Sequence, residues 1–251
     1  MTDSKQLKVK QISIIIATYN AERVLQRCLD SIVPQKTDEV ELLIIDGGST
    51  DSTLMIIENN KKNIDFFLSE KDDGLYDAWN KGLKKATGNW IVFLGSDDIL
   101  LEGTIDKQLE YLKTHHTEGL DIISAKAWIV DESGKIIKTM GEPYSWNIFR
   151  WRMNISHGST LHNRKLFEEV GLFDIRFRIC GDYELLMRKR LNSDFIDDYF
   201  IKMQDGGLST TLKARDEAYK ARKKNKIVPS FANYLFHYRE RWGYIIKHLF
   251  E

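Results

Sequence analysis

Cysteine and proline are both scarce in this chain of 251 residues. Its two cysteines, Cys28 and Cys180, lie far apart and outside any Cys-x-x-Cys spacing, which excludes a disulfide framework and a cysteine-based zinc cluster. Only three prolines occur, and none lies in a linker-like stretch. We therefore expect one large domain over residues 1–212, in two halves (1–100 and 101–212), followed by an extension over 213–251.

Net charge and long apolar runs are also missing. The 37 Lys and Arg balance the 37 Asp and Glu, so there is no general electrostatic case for a nucleic-acid partner. No run approaches the roughly 20 apolar residues of a membrane span, and residues 1–11 are polar. We predict neither a signal peptide nor a transmembrane anchor, and a cytoplasmic location. The 42% of hydrophobic residues is enough for a sizeable core.

The first hundred residues alternate buried-strand and helix patterns. Strands are predicted at 12–18, 40–45, 65–69 and 90–94, and helices between them, the first capped by Asn20. Such alternation is typical of an α/β fold with a mostly parallel, Rossmann-like sheet flanked by helices. After residue 100 the pattern is looser, with a helix predicted over 183–191. Ligands of parallel sheets bind at the carboxyl ends of the strands.

Acidic residues cluster where three of these strands end. The pairs are Asp46 with Asp51, Asp72 with Asp73, and Asp97 with Asp98. On one edge of a sheet they would repel each other unless a cation compensates them, and oxygen-rich sites suit Mg²⁺ or Mn²⁺. We therefore predict a divalent metal that bridges a diphosphate. The structural alternative is that these residues only cap helices and form turns.

Two common nucleotide-binding classes lack their motifs here. No Gly-x-Gly-x-x-Gly follows the first strand, which argues against an NAD-dependent oxidoreductase, and no Gly-x-x-x-x-Gly-Lys-[Ser/Thr] occurs, which argues against a P-loop kinase. A sugar-nucleotidyltransferase would need a glycine-rich, basic turn after that strand, but the turn is ATYNAE over residues 17–22.

Several segments together resemble the family 2 glycosyltransferases, inverting enzymes of the GT-A fold that use nucleotide sugars. They are ISIIIATYNAERVLQRCLDSI (12–32), ELLIIDGGSTDST (41–53), SEKDDGLYDAWNKGLKKATGNWIVFLGSDD (69–98), GSTLHNRKLFEEVGLFD (158–174) and GDYELLMRKR (181–190). The stretch DDGLYDAWNKGLKKATG is similar to the branch that builds bacterial surface polysaccharides such as O-antigen and capsule. The resemblance implies a UDP-sugar donor and a saccharide acceptor linked to polyprenyl diphosphate.

The resemblance also implies roles for particular residues. The donor-binding positions are Thr18, Tyr19, Asn20, Asp46, Asp73, Ser96, Asp97 and His157. Asn80 and Lys81, in the helix after Asp73, are further candidates. Asp97 and Asp98 match the metal-binding Asp-x-Asp motif, whose first position is Gly95 here, and which of the two contacts the metal stays open.

Asp182 matches the catalytic base of the family, which is commonly preceded by an acidic residue; Gly181 stands there in this chain. A base is needed to take the proton of the acceptor hydroxyl. Asp182 also fits a plain helix cap, and a lone histidine such as His157 is often structural. Gly206–Ser209 is a further candidate, for a phosphate-binding loop.

The last forty residues are basic and aromatic. Beyond Pro229, an apolar stripe follows helical spacing: Phe231, Leu235, Tyr238, Trp242, Ile245 and Leu249, beside Arg239, Arg241 and Lys247. Three interpretations stay open: peripheral contact with the inner face of the cytoplasmic membrane, a homodimer interface, or packing on the sheet. A functional alternative for the whole chain is a sugar-nucleotide-binding module that has lost its chemistry, suggested by Gly95 and Gly181.

Overall fold

A computed structural model of the chain describes residues 10–249, with side chains up to residue 246. The N-terminal residues 1–9, and the side chains of Lys247 and Leu249 in the predicted stripe, lie outside the described residues. The strands are β1 (Ile12–Thr18), β2 (Val40–Asp46), β3 (Phe66–Ser69), β4 (Trp90–Gly95), β5 (Ile99–Leu100), β6 (Ile122–Val130), β7 (Ile136–Met140), β8 (Leu161–Asn163) and β9 (Ser193–Gln204). The helices are α1 (Leu25–Ile32), α2 (Thr53–Asn59), α3 (Leu75–Leu83), α4 (Thr104–Thr114), α5 (Trp146–Phe149), α6 (Arg164–Val170), α7 (Gly181–Leu186), α8 (Leu212–Asn225) and α9 (Ser230–Leu249).

The strands form one sheet in the order β3-β2-β1-β4-β8-β6-β9-β5, with β7 paired to β6. Strands β1 to β4 are parallel to their neighbours, as the strand and helix alternation predicts. The later strands are mixed: β8 is antiparallel to β4 and to β6, whereas β6 and β9 are parallel. One sheet therefore runs through both predicted halves of the chain.

The central strands are buried on both faces. In β1, Ile12, Ile14 and Ile16 belong to one core cluster and Ile15 and Ala17 to the other. Helix α1 packs into the first cluster and α3 into the second, so each face of the sheet is covered by helices. This two-sided burial explains why the strands read as continuous apolar runs rather than as alternating ones.

Two local predictions were wrong. Helix α1 begins at Leu25 with Val24 at its N-cap, not at Asn20, because Asn20 lies in the left-handed region (φ 47°) and its side chain binds the next strand's loop. Helix α7 is shorter than the predicted 183–191 and begins at Gly181. Its N-cap residue is Cys180, so Asp182 lies within the first turn and is not the cap.

The extension forms α8 and α9, which pack on each other. Ala214 and Ala221 of α8 are buried, and α8 lies against α7. The interpretation that the apolar stripe of α9 packs on the sheet was wrong, because its members Phe231, Leu235 and Trp242 are 74%, 51% and 58% exposed. No helix among the described residues combines the length and the apolar character needed to cross a bilayer.

Candidate active site

The carboxyl ends of the four parallel strands lie side by side on one edge of the sheet. In the strand register Thr18 is opposite Asp46, and Asp46 is opposite Ser69. On the other side of β1, Ala17 is opposite Gly95, the last residue of β4. The turns that carry the three acidic pairs therefore leave the sheet at this one edge.

Asp46 is fully buried and holds the turn after β2. Its Oδ2 accepts hydrogen bonds from the backbone N–H groups of Gly48 (3.1 Å) and Ser49 (3.0 Å) and from the Ser69 hydroxyl (2.6 Å). Its Oδ1 accepts from the Ser49 hydroxyl. A carboxylate saturated in this way fixes the backbone around it. Beside it, the buried Thr18 hydroxyl has no hydrogen-bond partner within the described residues.

The loops after β1 and β2 are joined by hydrogen bonds. The Asn20 N–H donates to the Ser49 hydroxyl (2.8 Å), and the Asn20 side-chain oxygen accepts from the Thr50 N–H (2.9 Å). Tyr19, directly before Asn20, is 62% exposed. Asn20 thus ties the loop after β1 to the loop after β2, and the Tyr19 ring beside it remains exposed to solvent.

The two aspartates after β3 differ in their surroundings: Asp72 is hydrogen-bonded and partly buried, whereas Asp73 faces solvent. Asp72 accepts the Gly74 N–H at 2.8 Å, and its Oδ2 would lie 2.5 Å from a Cβ on Gly47, so a side chain at position 47 would require the Asp72 carboxylate to move. Burial raises the pKa of Asp72. Asp73 is exposed. The third-strand acids therefore adjoin the Asp46 turn.

The two candidates in α3 are already engaged. Asn80 is buried, and its side-chain amide donates to the Phe173 carbonyl and accepts from the Phe173 N–H, both at 2.9 Å. The Lys81 ammonium binds Glu70 (2.9 Å) and the Lys71 carbonyl (3.0 Å). Both residues thus hold neighbouring segments in place.

The turn after β4 presents its two carboxylates differently. Asp98 is buried, and its Oδ2 accepts the Gly95 N–H at 2.8 Å. Burial, together with the charge of Asp97, raises the pKa of Asp98 to about 7. Asp97 and Ser96 reach the surface, and Asp97 is the more exposed. A Cβ on Gly95 would lie 2.6 Å from the Asp97 Oδ1, so the Asp97 carboxylate occupies the space that a side chain at position 95 would need.

This turn exposes one carboxylate, that of Asp97, to which a cation could bind. Within the described residues, no group of three or more His, Cys, Asp or Glu side chains could hold a metal ion. Mg²⁺ is usually bound by one or two carboxylates with substrate phosphates and water, and Mn²⁺ has similar preferences for oxygen ligands. The donor set therefore fits a metal that completes its coordination with a diphosphate.

Asp182 lies in the second half of the chain, in the first turn of α7. Its Oδ1 accepts the Tyr76 hydroxyl at 3.0 Å and the Tyr183 N–H at 2.8 Å. Burial raises its pKa, and these two hydrogen bonds oppose that effect. The residue still keeps part of its surface open, on the wall of a cavity of about 430 Å³. A carboxylate that is raised in pKa and lines a cavity is a candidate general base.

His157 lines the same cavity as Asp182, and so do Gly206, Gly207 and Ser209 of the predicted phosphate loop. Its ring is buried and stacked on Phe93, with centroids 5.5 Å apart. Burial lowers the pKa of His157 to about 3, so the ring is neutral. Neither ring nitrogen has a hydrogen-bond partner within the described residues.

The sequence did not reveal what holds Asp182. Glu217 of α8 accepts the backbone N–H groups of Arg178 (3.0 Å), Ile179 (2.8 Å) and Cys180 (3.0 Å), the three residues before α7. The only sequence feature that could have indicated this contact is the pair of acidic residues, Asp216 and Glu217, in an otherwise basic helix. The extension is therefore connected to the candidate base.

Gly181 is explained by the ring of Tyr76. A Cβ at position 181 would lie 2.7 Å from that ring, which is closer than real Cβ atoms approach other atoms. The Tyr76 hydroxyl, in turn, contacts both Asp182 and the Ile179 carbonyl (2.7 Å). The missing acidic residue before Asp182 thus reflects a local packing requirement.

The family model described as "Glycosyl transferase family 2" matches residues 13–171. A "PGL/p-HBAD biosynthesis glycosyltransferase" of Mycobacterium bovis is 32% identical over 209 residues, which cover 80% of this chain and 79% of that protein. An uncharacterized glycosyltransferase of Haemophilus influenzae is 39% identical over 108 residues, 42% of this chain and 43% of the relative.

Two solved structures have a similar architecture. S. aureus TarS 1–349 in complex with UDP-GlcNAc has a TM-score of 0.68 at 17% identity, covering 90% of this chain and 70% of that one. The mannosyltransferase PcManGT from Pyrobaculum calidifontis, in complex with GDP-Man and Mn²⁺, has a TM-score of 0.63 at 18% identity, covering 87% and 65%.

Proposed function

The chain belongs to glycosyl transferase family 2 and has the GT-A fold, and on that premise we propose that it inverts the anomeric carbon of a UDP-sugar while transferring the sugar to a saccharide acceptor. The acceptor would be lipid-linked, in the synthesis of a bacterial surface polysaccharide. The observation that carries the proposal is the position of Asp182, a carboxylate of raised pKa on the wall of a cavity. TarS, whose structure contains UDP-GlcNAc, has the same fold.

The donor would bind at the carboxyl ends of β1 to β4. The exposed Tyr19 ring is suited to contact the base, and the Thr18 hydroxyl, which no described residue binds, is suited to contact its polar edge. Asp46 is fully occupied by hydrogen bonds, so its contribution is to hold the turn over 47–49 in the shape that receives the nucleotide. The exposed Asp73 and the partly exposed Ser96 would add polar groups at the ends of β3 and β4.

Mn²⁺ or Mg²⁺ would bind at the turn that contains Asp97 and Asp98. The exposed Asp97 is the residue we assign to direct contact, and the buried Asp98, through its hydrogen bond to Gly95, sets the shape of the turn. When bound, such a metal neutralises the phosphate charges and so stabilises the leaving diphosphate. PcManGT, which has a similar fold, was solved in complex with GDP-Man and Mn²⁺, and this supports the proposal of a metal here.

Asp182 would act as the base. The acceptor hydroxyl attacks the anomeric carbon, the bond from that carbon to the diphosphate oxygen breaks, and the hydroxyl proton passes to Asp182. The Tyr76 hydrogen bond holds the carboxylate while its exposed part faces the cavity, where the acceptor would lie. The neutral His157 ring, whose two nitrogens have no partner in the part of the chain that the structure describes, would be available to a polar group of either substrate.

The decisive experiment measures UDP release with a panel of UDP-sugars, a lipid-linked acceptor and Mn²⁺. We expect Asp182→Asn to lower turnover by about 10²–10⁴, the usual contribution of a positioned base, while UDP affinity measured by calorimetry is retained. Asp106→Asn, an exposed aspartate in α4, is the matched control and should behave as wild type. The wild-type rate should fall as the pH falls through the raised pKa of Asp182, because protonation removes the base.

Other outcomes would contradict parts of this mechanism. Loss of UDP binding together with turnover in Asp182→Asn would make Asp182 a structural residue. Turnover that is unchanged by EDTA and by Asp97→Asn would refute the metal assignment. UDP binding with no release from any donor would favour a non-catalytic sugar-nucleotide-binding module.

A further inference from the structure

The outer face of α9 is an exposed apolar surface. Over residues 231–246 its exposed members repeat every three or four positions, so they form one stripe about 23 Å long at the rise of an α-helix. The stripe consists of Phe231, Tyr234, Leu235, Tyr238, Trp242, Ile245 and Ile246. We call these seven residues the α9 stripe.

Polar side chains elsewhere on α9 fix the helix to α8. Asn233 is buried and accepts a hydrogen bond from the Arg222 Nε at 2.7 Å, and Glu240 lies 3.6 Å from the same guanidinium. Arg241 pairs with Asp216 of α8. The α9 stripe is therefore presented by a helix that is held at several points along its length.

The extension that carries the α9 stripe has an excess of basic residues, although Arg222 is buried and Lys224 and Arg241 form ion pairs. Residues 212–246 contain nine Lys and Arg against three Asp and Glu. Asp216, Glu217 and Glu240 are each used within the extension or by the Asp182 segment. In contrast, no described residue forms an ion pair with the exposed Arg239, which lies four residues after Leu235 and three before Trp242. Arg239 is thus an exposed cation beside the aromatic and aliphatic side chains of the α9 stripe.

We propose that the α9 stripe docks this protein on an anionic lipid surface. A helix with Trp, Phe and Leu on one face and with basic residues beside it is the pattern that lies in a membrane interface, where tyrosine and tryptophan keep their polar groups in water. Arg239 would contact the lipid phosphates. The inference does not depend on the proposed transfer reaction.

A second copy of the chain fits this surface less well. Pairing of the α9 stripe with itself about a two-fold axis would bring the arginines beside both stripes together, and like charges at an interface oppose binding. An anionic headgroup layer instead complements them. Because Arg222 and Glu240 also line the cavity next to Asp182, docking through α9 would bring that cavity close to the lipid surface.

The test is co-sedimentation of the full chain with vesicles, without any sugar substrate. Wild type should bind vesicles of phosphatidylcholine mixed with phosphatidylglycerol and bind phosphatidylcholine alone more weakly. The double variant Leu235→Ser with Trp242→Ser should lose about tenfold or more in affinity, because two exposed apolar groups no longer leave water. Arg239→Glu should weaken binding by about fivefold or more, and less so at high salt.

The matched control is Ile136→Ser with Ile137→Ser, which removes exposed apolar side chains from β7 and should bind vesicles as wild type does. Circular dichroism and UDP calorimetry should be unchanged in all variants, which separates a failure of docking from a failure of the proposed function. Two results would overturn the proposal: no binding of wild type to either vesicle, or a dimer in analytical ultracentrifugation that the α9 double variant abolishes while vesicle binding stays unaffected.

Discussion

Glu217→Ala removes the carboxylate that holds the segment before Asp182. Three backbone N–H groups, those of Arg178, Ile179 and Cys180, lose an acceptor at 2.8–3.0 Å. Hydrogen bonds to a charged group contribute about 1.5–3 kcal/mol each. Glu217 is only half-buried and water can replace part of the interaction, so we expect a total loss of about 2–4 kcal/mol of unfolding free energy.

That loss corresponds to a fall in Tm of roughly 4–16 °C for a chain of this size. The activity should fall as well, because a displaced base is poorly aligned with the acceptor hydroxyl; a shift of about 1 Å can cost roughly 10²-fold in rate. UDP affinity should stay the same, since the strand edge formed by β1 to β4 is not touched. Thermal unfolding, UDP-release kinetics and calorimetry measure the three quantities.

Glu217→Gln is the matched control. It keeps an acceptor oxygen without the charge, so it should recover most of the stability. Its acidic pH limit of turnover should also move to lower pH, because burial raises the pKa of Asp182 and the charge of Glu217 adds to that rise. A wild-type kcat in Glu217→Ala would refute the positioning role, and a parallel loss of UDP affinity would indicate a global rather than a local effect.

Three further variants test the packing that surrounds the candidate site. Gly181→Ala places a Cβ 2.7 Å from the Tyr76 ring and should destabilise the protein by about 1–3 kcal/mol in urea unfolding, whereas Gly207→Ala, with open space around it, should not; equal stabilities would contradict the close approach. His157→Met should reduce the pH dependence of the unfolding free energy in acid. Burial holds the pKa of His157 at about 3, so below pH of about 6 the unfolded chain takes up a proton that the folded chain does not, and wild type loses about 1.4 kcal/mol per pH unit more than the variant. Parallel stability curves would show that this histidine is not the cause. Asp46→Ala leaves buried donors unpaired and should lose about 3 kcal/mol or more together with UDP binding; retained calorimetric binding would show that the turn forms without it.

The first half of the fold was predictable because its signals are local. Continuous apolar runs identify β1, β2 and β4, and the acidic pairs follow directly from the strand ends. Parallel strands then place those ends on one edge, without any need to know side-chain contacts. The start of α1 was not predictable, since the preference of asparagine for a helix cap competes with its tolerance of positive φ.

The partners of Asp182 come from distant parts of the chain. Tyr76 is 106 residues away in the sequence and Glu217 is in the extension, so no periodic pattern relates them. The same holds for Gly181, whose need for a missing Cβ comes from a ring in α3. Contacts of this kind depend on the packing of whole elements and leave no local trace.

The sequence by itself determined the parallel half of the sheet, the acidic residues at its edge and the amphipathic pattern of the last helix, because strand and helix periods are properties of short segments. Only the tertiary structure decided that Asp98 is turned inward while Asp97 is exposed, that Glu217 holds the Asp182 segment, and that the α9 stripe faces solvent. The physical reason is the same in each case. Burial and hydrogen bonding depend on which surfaces meet in three dimensions, and a one-dimensional pattern marks an apolar face without saying what will cover it.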